Sequence, residues 1–273
     1  PPPRAPPILS GLVGSEMCIR DSSHAVLTDV TAAYAGINVQ GPNSRALLQQ
    51  VSPGDFSNSA FPFGTSKEIQ LGYATIRASR ISYVGELGWE LLIPSEMAAH
   101  VYETLVEVGQ DLELTNVGMH AMNSLRIEKA YRHWGHDIAD EDTPIEAGLE
   151  FAVRFDKPGG FIGREALLRQ KESGLVAKRM VQFLMEDPEV MLYHNEPIIR
   201  DGTICGYISS GMYGHTLGGS VGMGYVNNPL ERGGVDSEYV NSGSYEIEVA
   251  CKRYPAQASL EPLYDPGNER IKS

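Results

Sequence analysis

The spacing of apolar residues predicts four helices in the first two thirds of the chain. The clearest follows Ser95, where Ala98, Val101, Leu105 and Val108 recur at intervals of three to four residues. Ser95 is a residue type that caps helix N-termini. Of the other three predicted helices, one begins after Asn43 or Ser44. The remaining two cover residues 118–130 and 164–172.

Strand patterns surround these helices and dominate the last third of the chain. Three strands are predicted before residue 94, at 34–39, 69–79 and 80–93, the last two flanking a turn at residues 85–88. After about residue 174, short apolar runs are separated by Gly, Asn and Asp. The further strands predicted there are 181–185, 198–200, 204–209, 220–226 and 245–252.

The later strands predict a small antiparallel barrel or sandwich, with a domain boundary near residues 172–178. Between two of them, Asp201-Gly202 is typical of a type I′ hairpin, because both residues readily adopt positive φ angles. The fold class is therefore α+β. The domains expected are a leader at 1–22, a first domain at 23–174, a barrel at 175–263 and a loosely held polar tail at 264–273.

Residues 81–90 combine an aromatic ring, two carboxylates and two glycines. A carboxylate such as Glu86 or Glu90 can accept two parallel N–H bonds from a flat, nitrogen-rich ring, and Tyr83 offers an apolar face with a polar tip. Glycines let the backbone approach a ligand closely. An equally simple interpretation is a β-hairpin with Gly85 and Gly88 in the turn and Glu86 in solvent. The residues alone leave both open.

Composition narrows the function classes. The chain has 273 residues, 42% of them hydrophobic, and a formal net charge of -13. This charge argues against binding nucleic acid or an anionic membrane surface, which both require positive charge. Three cysteines without C-x-x-C spacing indicate neither a disulfide scaffold nor a zinc site, so a reducing compartment is expected. No apolar run approaches the roughly 18 residues of a membrane span.

Residues 1–22 are set apart from the rest. The chain starts with five prolines in seven residues, and the segment that follows resembles translated sequencing-adapter read-through. We therefore exclude this leader from fold and targeting arguments and expect the chain to be a fragment whose natural N-terminal part is missing. The alternative is a genuine disordered, proline-rich leader.

Several motifs in a fixed order carry a family resemblance. They are ISYVGELGWELLIP at 81–94, SLRIEKAYRHWGHDI at 124–138, TPIEAGLEFAV at 143–153 and FIGREAL at 161–167. Together they resemble the aminomethyltransferase (glycine-cleavage T-protein) family, and most of all the folate-binding C-terminal region of sarcosine and dimethylglycine dehydrogenases. The resemblance implies a truncated folate-binding domain followed by a small antiparallel β-barrel.

The resemblance also implies a site. Tyr83 and Glu90 match the Tyr and Glu that hold the pterin of tetrahydrofolate, and Arg126 matches an arginine that faces the folate channel. The plain alternatives are that Glu90 lies on the polar side of a strand and that Arg126 forms a surface pair with Glu128. FAD is expected in the missing N-terminal domain, since no dinucleotide fingerprint occurs in the chain. No metal site is expected.

Other segments are assigned less closely. The resemblance places Trp134, His136 and Asp137 near the same cavity. The loop 213–219 has two interpretations: the plain one is a glycine-rich hairpin connection, and the functional one is a loop that closes over the folate channel or meets the missing flavin domain.

No catalytic residue is assigned from the sequence. The family pattern implies a catalytic Asp eight or nine residues before Gly41-Pro42, where this chain has Ala33 and Ala32, and Asp29 lies twelve residues before Gly41.

Three functions remain open. The first is the folate-binding, one-carbon transfer region of a flavin-dependent N-methyl amine dehydrogenase, with folate and the amine as small-molecule partners and a covalently linked flavin domain. The second is a truncated stand-alone aminomethyltransferase, and the third is a non-catalytic folate-binding or structural module. The expected location is the cytoplasm or the mitochondrial matrix.

Overall fold

The computed structural model describes residues 28–273, so the expectations for the leader 1–22 lie outside it. The first part of the chain, here called the sheet region (residues 28–174), is built on four antiparallel strands. They are β1 (Tyr34–Gln40), β2 (Ser66–Leu71), β3 (Ala74–Ser79) and β4 (Gly88–Pro94), arranged in the order β1-β4-β3-β2. Strands β1 and β2 are therefore the edges of this sheet.

One face of the sheet carries the core of this region. In β4 the buried Trp89, Leu91 and Ile93 alternate with the more exposed Glu90 and Leu92, as expected for a sheet covered on one side. Helices α1 (Ser44–Val51) and α2 (Ala98–Gly109) cover the buried face. Both occur where the apolar spacing predicts them.

The start of α2 differs in detail from the prediction. Residues Ser95–Met97 form a short 3-10 turn before the helix, and the Ser95 hydroxyl donates to the carbonyl of Ala32 at 2.9 Å instead of capping α2.

The strands predicted at 69–79 and 80–93 are divided differently in the structure. The first is the β2–β3 hairpin, which reverses at Gly72-Tyr73, where Gly72 has a φ of 54° and Tyr73 is 90% exposed. The second is regular only from Gly88 onward, since residues 80–87 form an irregular loop. A continuous alternating pattern conceals both features, because a single positive-φ glycine reverses the chain without interrupting the alternation.

Two further helices complete the sheet region. Helix α3 (Met119–Glu128) and helix α4 (Arg164–Ser173) confirm their predictions, and a long segment with little regular structure connects them. Helix α4 ends at Gly174, whose φ of 67° gives the left-handed conformation common at helix C-termini.

The rest of the chain forms a closed barrel (residues 178–259). Its strands are β5 (Lys178–Met185), β6 (Pro197–Arg200), β7 (Thr203–Gly214), β8 (Gly219–Asn227), β9 (Tyr245–Val249) and β10 (Lys252–Ser259). Each strand pairs antiparallel with its neighbours, in the order β10-β5-β8-β7-β6-β9. Closure leaves no edge strand. Helix α5 (Ser237–Ser242) lies between β8 and β9, and helix α6 (Glu269–Lys272) follows the barrel.

Two turns of the barrel test the predictions made from turn-forming residues in the sequence. Asp201 and Gly202 have φ angles of 50° and 80°, which confirms the predicted hairpin between β6 and β7. The predicted strand 245–252 instead bends at Ala250 and Cys251, with φ angles of 50° and 64°, and continues as β10. Neither residue type is typical of a positive-φ turn, so the sequence contains no signal for β10.

The expectation of a loosely held tail is wrong. The backbone N–H of Leu263 donates to Gln182 at 2.8 Å, and Asp265 forms an ion pair with the buried Lys129 at 3.1 Å. At Ser273 the carbonyl oxygen accepts hydrogen bonds from Arg45 and Arg80 at 2.7 and 3.0 Å. The polar composition of the tail does not reveal these partners, which lie far away in the sequence. Between residues 28 and 273, no helix is long and apolar enough to cross a membrane.

Candidate functional site

A cavity of about 800 Å³ borders the free edge of β1, between α1, α2 and the start of α3. This volume lies in the range of small-molecule sites, roughly 300–1,000 Å³. Its apolar wall includes Ile37, Leu47, Leu105, Leu112, Met119 and Met122. Its polar groups include Asn38, Asn43, Tyr83, Glu86 and Asn116. An apolar wall with a few polar groups is typical of a site for a small organic ligand.

The irregular loop 80–87 brings three of its side chains to this cavity, those of Tyr83, Val84 and Glu86. Gly85 makes this possible. Its φ is 79°, and a β-carbon at this position would lie 3.0–3.1 Å from the side-chain carbons of Lys129. The loop therefore turns directly against the Lys129 side chain, and glycine is the residue that fits both the turn and the contact.

Tyr83 is held in one orientation by two contacts. Its hydroxyl donates to the carbonyl of Arg132 at 3.1 Å, and its ring lies parallel to that of Tyr131, with 6.1 Å between ring centroids and 13° between planes. Burial raises the pKa of Tyr83, so its hydroxyl keeps its proton. The cavity therefore has a fixed aromatic wall at this point.

The two carboxylates of the motif have different surroundings. Glu86 is half-buried in the cavity wall, and one of its oxygens accepts a hydrogen bond from the Tyr264 hydroxyl. Glu90 lies on β4 between Asn38 of β1 and Ser79 of β3 and does not line the cavity, although Asn38 does. The structure thus brings Tyr83 and Glu86 together and leaves Glu90 one strand away from the wall. Ligand contact by Glu90 stays a prediction.

Arg126 is buried, at 2% exposure, and its guanidinium is engaged by protein groups. It pairs with Asp137 at 2.5 Å and donates to the Ser210 hydroxyl at 2.8 Å and to the Tyr131 carbonyl at 3.1 Å. The alternative of a surface pair with Glu128 is wrong, because both side chains are buried and Glu128 bonds elsewhere.

The position of Arg126 gives it an indirect connection to the cavity, whose wall it does not reach. It holds the backbone of Tyr131, whose ring is stacked on Tyr83, and it ties α3 to strand β7 through Ser210. Direct contact of Arg126 with a ligand stays a prediction.

Asp137 is the buried partner that organises this junction. It also accepts hydrogen bonds from the backbone N–H of His133, at 2.8 Å, and from the Ser209 hydroxyl. Trp134 and His136, assigned to the same segment, are exposed and do not line the cavity.

The loop 213–219 is the connection of the β7–β8 hairpin. The buried carboxylate of Glu128 accepts the backbone N–H groups of Thr216 and Leu217 at 2.7 and 3.0 Å. A β-carbon at Gly214 would lie 3.0 Å from an oxygen of that carboxylate. The structure therefore supports the hairpin interpretation, with the loop fastened to the end of α3 and absent from the cavity wall.

Among residues 28–273, none is identified as catalytic by its geometry. Ala32 and Ala33 lie in an exposed 3-10 turn, and Asp29 is exposed and accepts hydrogen bonds from Thr31. None of the three lines the cavity. Within residues 28–273, no group of three or more His, Cys, Asp or Glu side chains is arranged to hold a metal ion.

Family comparisons cover both regions. The model of the GCVT N-terminal domain matches residues 15–157, and the model of the glycine cleavage T-protein C-terminal barrel domain matches residues 178–265. The chain belongs to the glycine-cleavage T-protein family. This confirms the predicted relationship.

The known relatives differ in length. The chain is 43% identical, over 91% of its length, to a 4-methylaminobutanoate oxidase (formaldehyde-forming) of Paenarthrobacter nicotinovorans, and 41% identical, over 92%, to human mitochondrial sarcosine dehydrogenase. It spans 29% and 27% of these two proteins. An aminomethyltransferase of Halothermothrix orenii is 38% identical over 76% of the chain, which covers 57% of that protein.

A solved structure agrees with the fold. The aminomethyltransferase T of the Bartonella henselae glycine cleavage system superposes with a TM-score of 0.70 and 24% identity, covering 85% of this chain and 60% of that one. The α+β fold class with its terminal barrel is thereby confirmed.

Sequence reasoning missed Tyr264 and Tyr131, because the partner of Tyr264 lies 178 positions away and nothing local marks either tyrosine as part of the site.

Proposed function

We propose that this chain is the folate-binding, one-carbon transfer region of a flavin-dependent N-methyl amine dehydrogenase of the sarcosine or dimethylglycine type. The observation that carries the proposal is the cavity in which Tyr83 and Glu86 meet, in a chain of the T-protein family. The similarity to a sarcosine dehydrogenase and to a methylaminobutanoate oxidase supports the amine class. The flavin would be held by a covalently linked domain, in the cytoplasm or the mitochondrial matrix.

Tetrahydrofolate fits the groups of the cavity. Its pterin is flat and presents an amino group and ring N–H groups on one edge. Tyr83 offers an oriented ring face, and the second oxygen of Glu86 accepts no hydrogen bond from the described residues, so it is free for an N–H donor. Asn38, Asn43 and Asn116 add amide donors and acceptors for the polar remainder of the molecule.

In this proposal the residues of the chain bind tetrahydrofolate and shield it from water, and the folate itself takes up the one-carbon unit. When bound, tetrahydrofolate supplies the nitrogen atoms that take up the one-carbon unit released from the amine. Glu86 orients the pterin edge, with Glu90 as the second candidate acceptor. The buried side chains of Leu47 and Leu105 give the site an apolar wall, which would limit the access of water to a reactive one-carbon unit.

A stand-alone aminomethyltransferase is the second candidate. The observation in its favour is the Halothermothrix orenii relative, of which the chain covers 57%. Ala32 and Ala33 are exposed and provide no carboxylate at the position where the family pattern has its Asp, which favours a third candidate, a binding module without catalysis. Formaldehyde capture by the folate-loaded chain distinguishes the third from the first: tight folate binding without capture faster than that of free tetrahydrofolate supports the module.

The direct test is calorimetric titration of the 273-residue chain with tetrahydrofolate under anaerobic conditions. Glu86→Gln removes a charged acceptor, and we expect about tenfold or greater loss of affinity, because hydrogen bonds to charged groups contribute roughly 1.5–3 kcal/mol. Glu90→Ala tests the residue that the family resemblance favours, with the same expected loss if it contacts the pterin.

Glu238→Gln, at an exposed position in α5, is the matched control and should bind as the unmodified chain does. Absence of binding by the unmodified chain contradicts the proposal. Unchanged affinity in both the Glu86 and the Glu90 variants removes these carboxylates from the site.

A further inference from the structure

The loop 80–87 carries the cavity side chains but has few hydrogen bonds of its own. Within it, the backbone N–H of Val84 donates to the Ser82 hydroxyl at 3.3 Å, and at its start the N–H of Ile81 donates to the carbonyl of Ser79, the last residue of β3, at 3.0 Å. An irregular loop with so few internal contacts depends on neighbouring segments for its position.

The tail supplies one such neighbour at Glu86. We call residues 263–273 the strap. The hydroxyl of Tyr264 donates to a Glu86 oxygen, and the backbone N–H of Tyr264 donates to the carbonyl of Glu128 at 3.2 Å, which anchors the strap on the end of α3. Burial, together with the hydrogen bond to Glu86 and its charge, raises the pKa of Tyr264 to about 12, so the hydroxyl remains a donor at neutral pH.

The strap also holds the loop at two other points. Asp265 pairs with Lys129, and the side chain of Lys129 packs against Gly85. At the far end of the strap, the carbonyl of Ser273 accepts a hydrogen bond from Arg80, a residue at 1% exposure that begins the loop. The strap therefore contacts the start of the loop, contacts Glu86 near its end and supports the residue beneath Gly85.

We propose that the strap sets the position of loop 80–87 and that Tyr264 is the positioning residue for Glu86. By donating to one carboxylate oxygen, Tyr264 holds the side chain of Glu86 in one conformation and leaves the other oxygen for a ligand in the cavity. The positioning of the loop stands on the contacts alone. Its consequence for tetrahydrofolate rests on the proposed function.

The test compares Tyr264→Phe with Tyr193→Phe in the full 273-residue chain. Tyr264→Phe keeps the ring and removes only the hydroxyl. Tyr193 is an exposed tyrosine of the segment between β5 and β6 and serves as the control. Hydrogen exchange followed by mass spectrometry reports on the loop without any ligand. We expect roughly tenfold faster exchange at residues 81–87 in Tyr264→Phe, since the lost bond involves a charged acceptor, and unchanged exchange in the barrel.

A second variant tests the pairing. Tyr264→Phe removes the hydrogen bond, whereas Glu86→Gln removes the charge of its acceptor. Because both changes act on one interaction, the double variant should exchange no faster in the loop than the faster single variant. Tetrahydrofolate affinity should fall about tenfold in Tyr264→Phe and stay unchanged in Tyr193→Phe.

Three results would overturn the inference. They are loop exchange in Tyr264→Phe equal to that of the control, acceleration spread evenly over the barrel, or additive effects in the double variant. Faster loop exchange in a chain that does not bind tetrahydrofolate would retain the strap and refute the proposed function, so the two failures are distinguishable.

Discussion

The sheet region and the barrel differ in whether their strands leave backbone hydrogen-bonding groups unpaired at an edge. The four-stranded sheet has two edges, and its edge strand β1 borders the cavity. The barrel joins six strands into a ring without an edge. A free strand edge leaves N–H and C=O groups available, whereas a closed ring satisfies them internally. The candidate binding chemistry accordingly lies beside the open sheet, and the barrel contributes anchors such as Ser209 and Ser210.

The contacts between the two regions are mostly polar and buried. The Arg126–Asp137 pair reaches β7, Glu128 holds the β7–β8 loop, and Gln182 of β5 donates to the carbonyls of Ile127 and Glu128 at 2.6 and 3.0 Å. Buried polar groups of this kind specify one arrangement because every misplacement leaves a charge or an amide unpaired. The comparison therefore predicts that the junction is the most sensitive point of the molecule.

The largest effect is expected for Arg126→Met. It leaves Asp137 buried without its cation, which costs roughly 3–5 kcal/mol of the free energy of unfolding. Urea denaturation followed by circular dichroism measures this loss. Arg154→Met is the control, since the Arg154–Asp156 pair is exposed and should contribute at most about 1 kcal/mol. Equal midpoints for the two variants would show that the junction does not depend on the buried pair.

A smaller loss of stability is expected from glycine-to-alanine substitutions, which compare the packing of the barrel with that of the sheet edge. Gly211→Ala in β7 would place a β-carbon 2.6 Å from the β-carbon of Leu192, and we expect a loss of about 1–3 kcal/mol from overpacking. Gly36→Ala in β1 meets nothing within 4 Å and should be neutral or slightly stabilising. Thermal unfolding of both variants tests the difference. Equal destabilisation would contradict the contrast between a closely packed barrel and an open sheet edge.

Alkaline pH should weaken the barrel. Burial raises the pKa of Cys205 to about 11 and that of Tyr245 to about 12. Because the unfolded chain loses these protons near pH 9 and 10, the stabilisation is complete below those values and disappears as pH rises through 11 and 12. Urea midpoints measured from pH 8 to 11 should fall.

Replacing both groups, with Cys205→Ser and Tyr245→Phe, should flatten that decline. Some slope should remain, since Tyr83 and Tyr264 also have raised pKa values. An unchanged slope in the double variant would show that Cys205 and Tyr245 are not its cause.

The smallest effect concerns helix caps. The side chain of Asp236 accepts the backbone N–H of Tyr239 at 2.7 Å and caps α5, so Asp236→Ala should cost about 1 kcal/mol. Ser95, which the sequence marks as a cap, makes no such bond, and Ser95→Ala should cost less. Chemical denaturation can rank the two. The reverse order would contradict this ranking and show that Ser95 stabilises the chain more than the Asp236 cap does.

Much of the fold was predictable because its signals are local. The three-to-four spacing in α2 and the alternation in β4 each reflect one buried face. The turn at Asp201-Gly202 follows from the backbone preferences of these two residues alone. The order of the motifs predicted the relationship to the T-protein family. The short apolar runs separated by Gly, Asn and Asp after residue 174 predicted the barrel. These features need no knowledge of what lies across the molecule.

Only the tertiary structure decided which charged groups are buried and what they meet. Arg126 lies beside the apolar stripe of α3 in sequence, yet its partners are 11 and 84 positions away. The same holds for Tyr264 and Glu86, 178 positions apart. The spacing of apolar residues along a helix or strand indicates which face is buried. It does not indicate which distant residues pack against that face. For that reason the sequence by itself determined the helices, most strands and the family, whereas folding alone placed Glu86 in the cavity wall and the tail against it.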